Sequence, residues 1–185
     1  MLNKAEQIAV IQGCRRGDRH AQNRLYRAYH GWAWSICARY TQVPELATEC
    51  VQDAFFKVFT KIDTYGGDLP FEGWFKKILV RTCIDRYRSS QKEEVTMELE
   101  DAENESHIAE VLINADAEYL LHLINTLPAV YRATFNLYAI DGYDYQEIAT
   151  ILDVNIGSVK SNLFKARAKL KQLLKQHQEG KTYGR

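Results

Sequence analysis

The stretch from Asp144 to Lys175 has the side chains needed to hold an anionic polymer. Lys160, Lys165, Arg167, Lys169, Lys171 and Lys175 fall within residues 160–175, and no acid lies among them. Ammonium and guanidinium groups neutralise phosphates, while hydroxyls and amides pair with base edges. Ser158, Ser161 and Asn162 supply the second kind of group beside the first. On a helix, Lys160, Ser161, Phe164 and Arg167 occupy adjoining parts of one face. Phe164 suits a thymine methyl or the sugar-phosphate wall; the bland alternative is a solvated basic helix with Phe164 in a core.

Enzymatic chemistry finds no comparable support. Cys14, Cys37, Cys50 and Cys83 form no C-x-x-C pair, and the scattered histidines complete no zinc pattern. No nucleophile–base pair or phosphate loop is visible. The sequence therefore predicts a non-enzyme without metal or cofactor, its thiols reduced at partly buried helix positions. An apolar content of 46% against 26% charged residues is a soluble globular composition, and no apolar run is long enough to span a bilayer. The N-terminus lacks a signal pattern, so a cytoplasmic location is the default expectation. The net charge of +0 conceals an asymmetry, because acids crowd residues 93–110 and offset the basic tail.

The elements that position these groups read almost wholly as helix. Asn3 and Glu6 form a capping box for a helix over 3–16 that ends near Gly17. Asp18 caps a second, whose stripe is Ala21, Leu25, Tyr29, Ala33 and Ile36. Pro44 suits the first turn of a third, which places Ala47, Cys50, Val51, Ala54, Phe55, Val58 and Phe59 at helical spacing. A Gly- and Pro-containing loop ends at Pro70, and a fourth helix follows from Phe71 to about Ser89 with Phe71, Trp74, Phe75 and Ile78 inward. Residues 90–107 lose periodicity and read as a linker; helical pattern returns near Ile108 and runs to about Leu174. Asp144 and Glu147 make a second capping box, before a short helix over Tyr145–Leu152. A tight turn, Asp153–Asn155, leads to a longer basic helix capped by Asn155, which completes a helix-turn-helix pattern.

The predicted fold is all-α: two small helical domains joined by a flexible acidic linker, the C-terminal one containing the helix-turn-helix. The expected boundaries are 1–90, a linker at 91–107, 108–177, and a tail at 178–185.

The N-terminal half narrows the choice among helix-turn-helix proteins. Gly17-Asp18, Leu25-Tyr26, Ala38-Arg39-Tyr40, Val51-Gln52-Asp53-Ala54-Phe55, Lys57-Val58-Phe59 and Phe71-Glu72-Gly73-Trp74 resemble region 2 of the extracytoplasmic-function sigma factors. Leu127-Pro128, Arg132, Gly142-Tyr143, Glu147-Ile148-Ala149 and Gly157-Ser158-Val159-Lys160-Ser161 resemble region 4. Either motif alone is weak, but two in the right order around a linker are strong. The resemblance implies a promoter-recognition subunit that works with RNA polymerase core enzyme.

It also implies roles for residues. Gln52, Asp53, Phe56 and Lys57 match the surface that docks on the clamp helices of the polymerase's largest subunit, although periodicity also allows Phe56 and Phe59 both to be core. Tyr65, Lys76, Lys77 and Arg81 match the part that captures an unpaired base of the downstream (−10) element; Arg81 stands where many members carry asparagine. Ser158, Lys160, Ser161, Asn162, Phe164, Lys165 and Arg167 match the reader of duplex upstream (−35) DNA. The acidic linker is either a nucleic-acid mimic threaded through polymerase or a plain tether. An anti-sigma factor is an implied further partner. The rival readings are a free-standing duplex-binding regulator and a helical adaptor that has lost DNA contact.

Overall fold

A computed structural model describes residues 2–68, 70–91 and 117–182, and every element among them is helical. Residues 92–107 of the expected linker, the predicted return of helix near Ile108, and the last three residues of the tail lie outside the described residues. The contacts divide the chain into two units, Met1–Arg86 and Tyr87–Arg185. No described helix is long and apolar enough to cross a membrane.

The first unit is built on α1 (Lys4–Arg15), α2 (Arg19–Tyr40), α3 (Pro44–Lys61) and most of α4 (Phe71–Gln91), with a single 3-10 turn at Ile62–Thr64. The capping box at α1 is present in both directions: Glu6 N–H donates to Asn3 Oδ1 at 3.0 Å, and Asn3 N–H donates to Glu6 Oε2 at 3.1 Å. Gly17 takes φ +73°, a conformation that costs glycine little, and turns the chain into α2. The α2 stripe read from the sequence is buried throughout, with Leu25, Tyr29 and Ala33 at 0% exposure. Around Tyr29 lies an aromatic core in which Phe71 sits 5.4 Å from Tyr29, and Phe55 sits 5.0 Å from Phe75, both edge-on. Each such buried ring contributes about 1.5–3 kcal/mol through the water it sheds.

Two details differ from the periodic reading of α4. Phe71 and Phe75 are buried as expected, but Trp74 and Ile78 are only half-buried, and Leu79, Val80, Cys83 and Ile84 complete the inward surface. Packing on both α2 and α3 widens the buried face beyond a single stripe. The cysteines are also fully buried rather than partly so, and all are free thiols. Cys83 of α4 lies within interaction range of Cys37 on α2 and Cys50 on α3, so the three helices meet at a cluster of buried thiols. Burial pushes Cys14 up to about 11, and the Cys83 contact together with burial raises Cys50, which makes these thiols poor nucleophiles near neutral pH.

In the second unit, α5 (Ala117–Asn125) and α6 (Ala129–Phe135) are joined through Leu127-Pro128. Arg132, 4% exposed, closes that turn by donating to the carbonyls of Asn125 and Leu127, each at 3.1 Å. A wide π turn, Asn136–Ile140, and Gly142 at φ +77° end α6. Next come α7 (Tyr145–Leu152) and α8 (Ile156–Thr182). The capping box Asp144–Glu147 forms as expected, and Ile148, Ala149 and Leu152 are buried. Asp153 at φ +58° ends α7, and Asn155 Oδ1 accepts from Ser158 N–H at 2.7 Å to start α8. Leu123, Ile124, Leu127 and Phe135 pack on Leu163, Ala166, Leu170 and Leu174 of α8. Helix α8 continues past the expected end near Leu174 because its last residues, rich in Lys, Gln and Glu, favour helix without needing a core.

Gly13 of α1 lies where an added Cβ would stand 2.5 Å from the Ala21 Cβ on α2. Gly13→Ala should therefore push the two helices apart and cost about 1–3 kcal/mol. Thermal unfolding followed by circular dichroism should show a fall in Tm of roughly 5 °C or more; an unchanged Tm would mean that α1 yields without cost.

Candidate nucleic-acid and partner interfaces

On α8 the buried stripe is Val159, Leu163, Ala166, Leu170 and Leu174. What remains outward is the set read from the sequence. Lys160 is exposed, and Ser158, Ser161, Asn162, Phe164, Lys165 and Arg167 are half-buried at its sides. Phe164 is thus neither core nor free in water. Ser158, Ser161 and Lys165 lie opposite the core stripe, whereas Lys160 and Arg167, seven residues apart, share one edge of the helix.

That edge holds a feature the sequence reading missed. Tyr138 on the π turn and Tyr145 at the start of α7 stack with centroids 5.1 Å apart and planes 15° apart. The Lys160 ammonium stands 5.9 Å from the Tyr145 ring centroid, and the Arg167 guanidinium 5.3 Å from that of Tyr138. Two of the candidate DNA-contacting cations are therefore steered by a pair of rings from outside their own helix. Tyr138 falls inside the stretch read simply as helix, and Tyr145 reads as an ordinary first-turn residue, so no local pattern announces the pair.

The first unit presents two further surfaces. On α3, Phe55 is 2% exposed while its neighbour Phe56 is 70% exposed. Gln52 and Asp53 are exposed on either side of Phe56. Phe59 is half-buried, 5.9 Å from Phe55, at the edge of the core, so the two ambiguous phenylalanines differ and neither is fully buried. Lys57 is turned away from this patch: its Nζ donates to Thr82 Oγ1 at 3.0 Å and lies 3.7 Å from Asp85. Asp53 has Arg86 at 3.9 Å yet keeps a side chain 61% exposed.

The other surface surrounds the start of α4. Tyr65 packs its ring 5.5 Å from both Phe71 and Trp74. Burial raises its hydroxyl above the usual tyrosine range, with the Glu72 carboxylate adding to the effect. Trp74, Lys77 and Arg81 follow i, i+3 and i+7 spacing and share one face of α4, on which Lys77 and Arg81 are exposed. Lys76 is half-buried and turned by about 100° from Lys77, so it does not join that face. The arrangement is an aromatic wall flanked by two cations, the parts that hold an unstacked base and its backbone.

The chain resembles known proteins in both halves. Residues 25–93 match the family described as Sigma-70 region 2, and residues 117–170 match Sigma-70, region 4. The ECF RNA polymerase sigma-E factor of Escherichia coli (strain K12) is 28% identical over 170 residues, which cover 85% of this chain and 88% of that protein. The ECF RNA polymerase sigma-E factor of Haemophilus influenzae is 27% identical over 178 residues, covering 88% of this chain and 94% of that protein. In fold, the chain resembles the sigma factor RpoE of Bartonella quintana, solved in complex with the anti-sigma factor NepR. The TM-score is 0.52 at 22% identity, covering 83% of this chain and 96% of that one.

If the tyrosine pair steers Lys160 and Arg167, Tyr145→Leu should weaken duplex binding about fivefold, the equivalent of 1 kcal/mol, whereas Tyr145→Phe should preserve it. Lys165→Ala should instead lower the slope of log affinity against log salt by about 0.9. Fluorescence anisotropy over a salt series separates the two effects. Equal losses for Tyr145→Leu and Tyr145→Phe would assign the effect to the hydroxyl.

Proposed function

We propose a division of labour between the two helical units, on the premise that this chain belongs to the extracytoplasmic-function group of sigma-70 factors and acts with RNA polymerase at promoter DNA in transcription initiation. The observation that carries the proposal is Phe56, a large aromatic left 70% exposed beside two exposed polar side chains on α3. An apolar ring in water with a polar rim suits the centre of a protein interface. Gln52, Asp53 and Phe56 form the patch that docks on the clamp helices of the largest polymerase subunit, and Lys57 supports it from the α4 side.

Once docked, the face made by Tyr65, Trp74, Lys77 and Arg81 traps an unpaired base of the downstream element. Lys76 serves the nearby backbone rather than the base. Arg81, long and cationic where asparagine is common, favours the backbone or an acceptor-rich base edge. In the second unit, Ser158, Lys160, Ser161, Asn162, Phe164, Lys165 and Arg167 read the upstream duplex, with the first turns of α8 aimed at base edges. Residues 1–90 and 108–177 act as the two reading units, 91–107 as their tether and 178–185 as a tail. The chain catalyses no reaction itself and works in the cytoplasm. An anti-sigma protein that covers these surfaces is a further partner.

Replacing Asp53 and Phe56 together by alanine tests the docking surface. Loss of a central aromatic and its rim should weaken core-enzyme capture by about thirtyfold, or 2 kcal/mol. Far-UV circular dichroism and binding of duplex DNA should stay as in the unaltered protein. Normal co-purification of the folded double variant with core polymerase would place the docking surface elsewhere.

A further inference from the structure

Helix α1 lies before the residues matched by either family description, which begin at residue 25. It nevertheless reaches both stems of the loop that leads into α4. Arg15 NH2 donates to the Tyr65 carbonyl at 2.5 Å. Gln7 Nε2 donates to Glu72 Oε1 at 2.8 Å and to the Tyr29 hydroxyl at 2.6 Å, while the Tyr29 hydroxyl donates to the same Glu72 oxygen at 2.7 Å. Tyr65 is the last residue before Gly66 and Gly67, and Gly67 sits at φ +86°. Glu72 lies in the first turn of α4.

Helix α1 is itself fixed, since Gly13 allows α2 to approach to the point where a Cβ would collide with Ala21. The ordinary account of Arg15 is a cation complementing the C-terminal end of its own helix. Its donation to a carbonyl fifty residues away along the chain goes beyond that account.

We infer that α1 braces the base-trapping surface, with Arg15 and Gln7 as positioning residues that hold the two stems, at Tyr65 and Glu72, in the geometry that receives the unpaired base. This rests on the proposed role of the Tyr65, Trp74, Lys77 and Arg81 face. Without the Arg15 contact at the Tyr65 carbonyl, the glycine pair that follows would sample more conformations, and ordering them would cost free energy each time a base is captured. With Arg15 in place, the Tyr65 ring stands ready against Phe71 and Trp74. The brace therefore serves discrimination among bases as well as the extent of opening.

The test uses the full chain reconstituted with core polymerase on four promoters that differ only in the captured base. Permanganate reactivity of unpaired thymines reports opening. Arg15→Ala should leave core binding and upstream-duplex binding unchanged. It should reduce opening about tenfold on the preferred promoter and compress the spread among the four bases to about twofold. Arg15→Lys, which keeps a donor, should recover part of the discrimination, and Gln7→Leu should act in the same direction as Arg15→Ala. Lys77→Ala with Arg81→Ala serves as the control for the trapping face. If that control loses opening while Arg15→Ala opens all four promoters normally, the brace is overturned and the trapping face stands. If neither variant affects opening, the trapping face falls and the brace with it. A lowered Tm with core binding, duplex binding and opening all reduced alike, and base preference retained, would reduce Arg15 to a structural role and overturn the inference.

Discussion

A helix turns by about 100° at each residue, and a stripe of side chains committed to a core leaves little choice about what faces outward. This constraint organises both units. Because Phe55 is locked against Phe75, its neighbour Phe56 is carried into solvent. Because Val159, Leu163, Ala166 and Leu170 fill the second core, the polar residues between them are displayed together on the outside of α8. The surfaces proposed to meet polymerase and DNA are thus the complements of two cores. A core substitution that rotates α3 or α8 would disturb recognition without touching a contacting residue.

The cores alone do not aim the side chains they expose. Long cations lose considerable rotamer freedom on binding, and each surface contains a device that limits this cost. On α8 the stacked Tyr138 and Tyr145 collect Lys160 and Arg167 at one edge. On α3, Lys57 is drawn toward Thr82 and Asp85, leaving Phe56 between Gln52 and Asp53. At the start of α4, contacts from α1 hold the chain on either side of a glycine pair. Each of these devices joins elements distant in sequence.

That distance explains what could be read from the sequence. Helix starts were legible because their signals are local: Asn3 with Glu6, Asp18, Pro44, and Asp144 with Glu147 all cap or open helices as their types require. The helix-turn-helix was legible because a cap, a short apolar stripe, a tight turn and a second cap follow in unbroken order. The inward face of α4 is only partly legible: Phe71 and Phe75 are buried, but the buried face turns toward Leu79, Val80, Cys83 and Ile84 and leaves Trp74 and Ile78 at its margin. Phe56 and Phe59 cannot be told apart by period alone; their exposure in the folded unit separates them, Phe56 standing 70% exposed and Phe59 half-buried beside Phe55 on the same helix. The tyrosine pair and the contacts of Arg15 and Gln7 have no period at all. They exist only once the helices have packed.

On the proposed function, two small reading units on one chain bind DNA weakly apart, and their affinities combine when something fixes their separation. Polymerase is the partner that supplies that fixed separation on this proposal. The most direct test is footprinting of a promoter fragment by the full chain at near-physiological salt, with and without core polymerase. The expected result is faint, salt-sensitive, non-specific protection by the protein alone, and a sharp footprint with unpaired thymines once core enzyme is added. A sharp specific footprint from the protein alone, unchanged by core enzyme, would contradict it and identify a free-standing duplex-binding regulator instead.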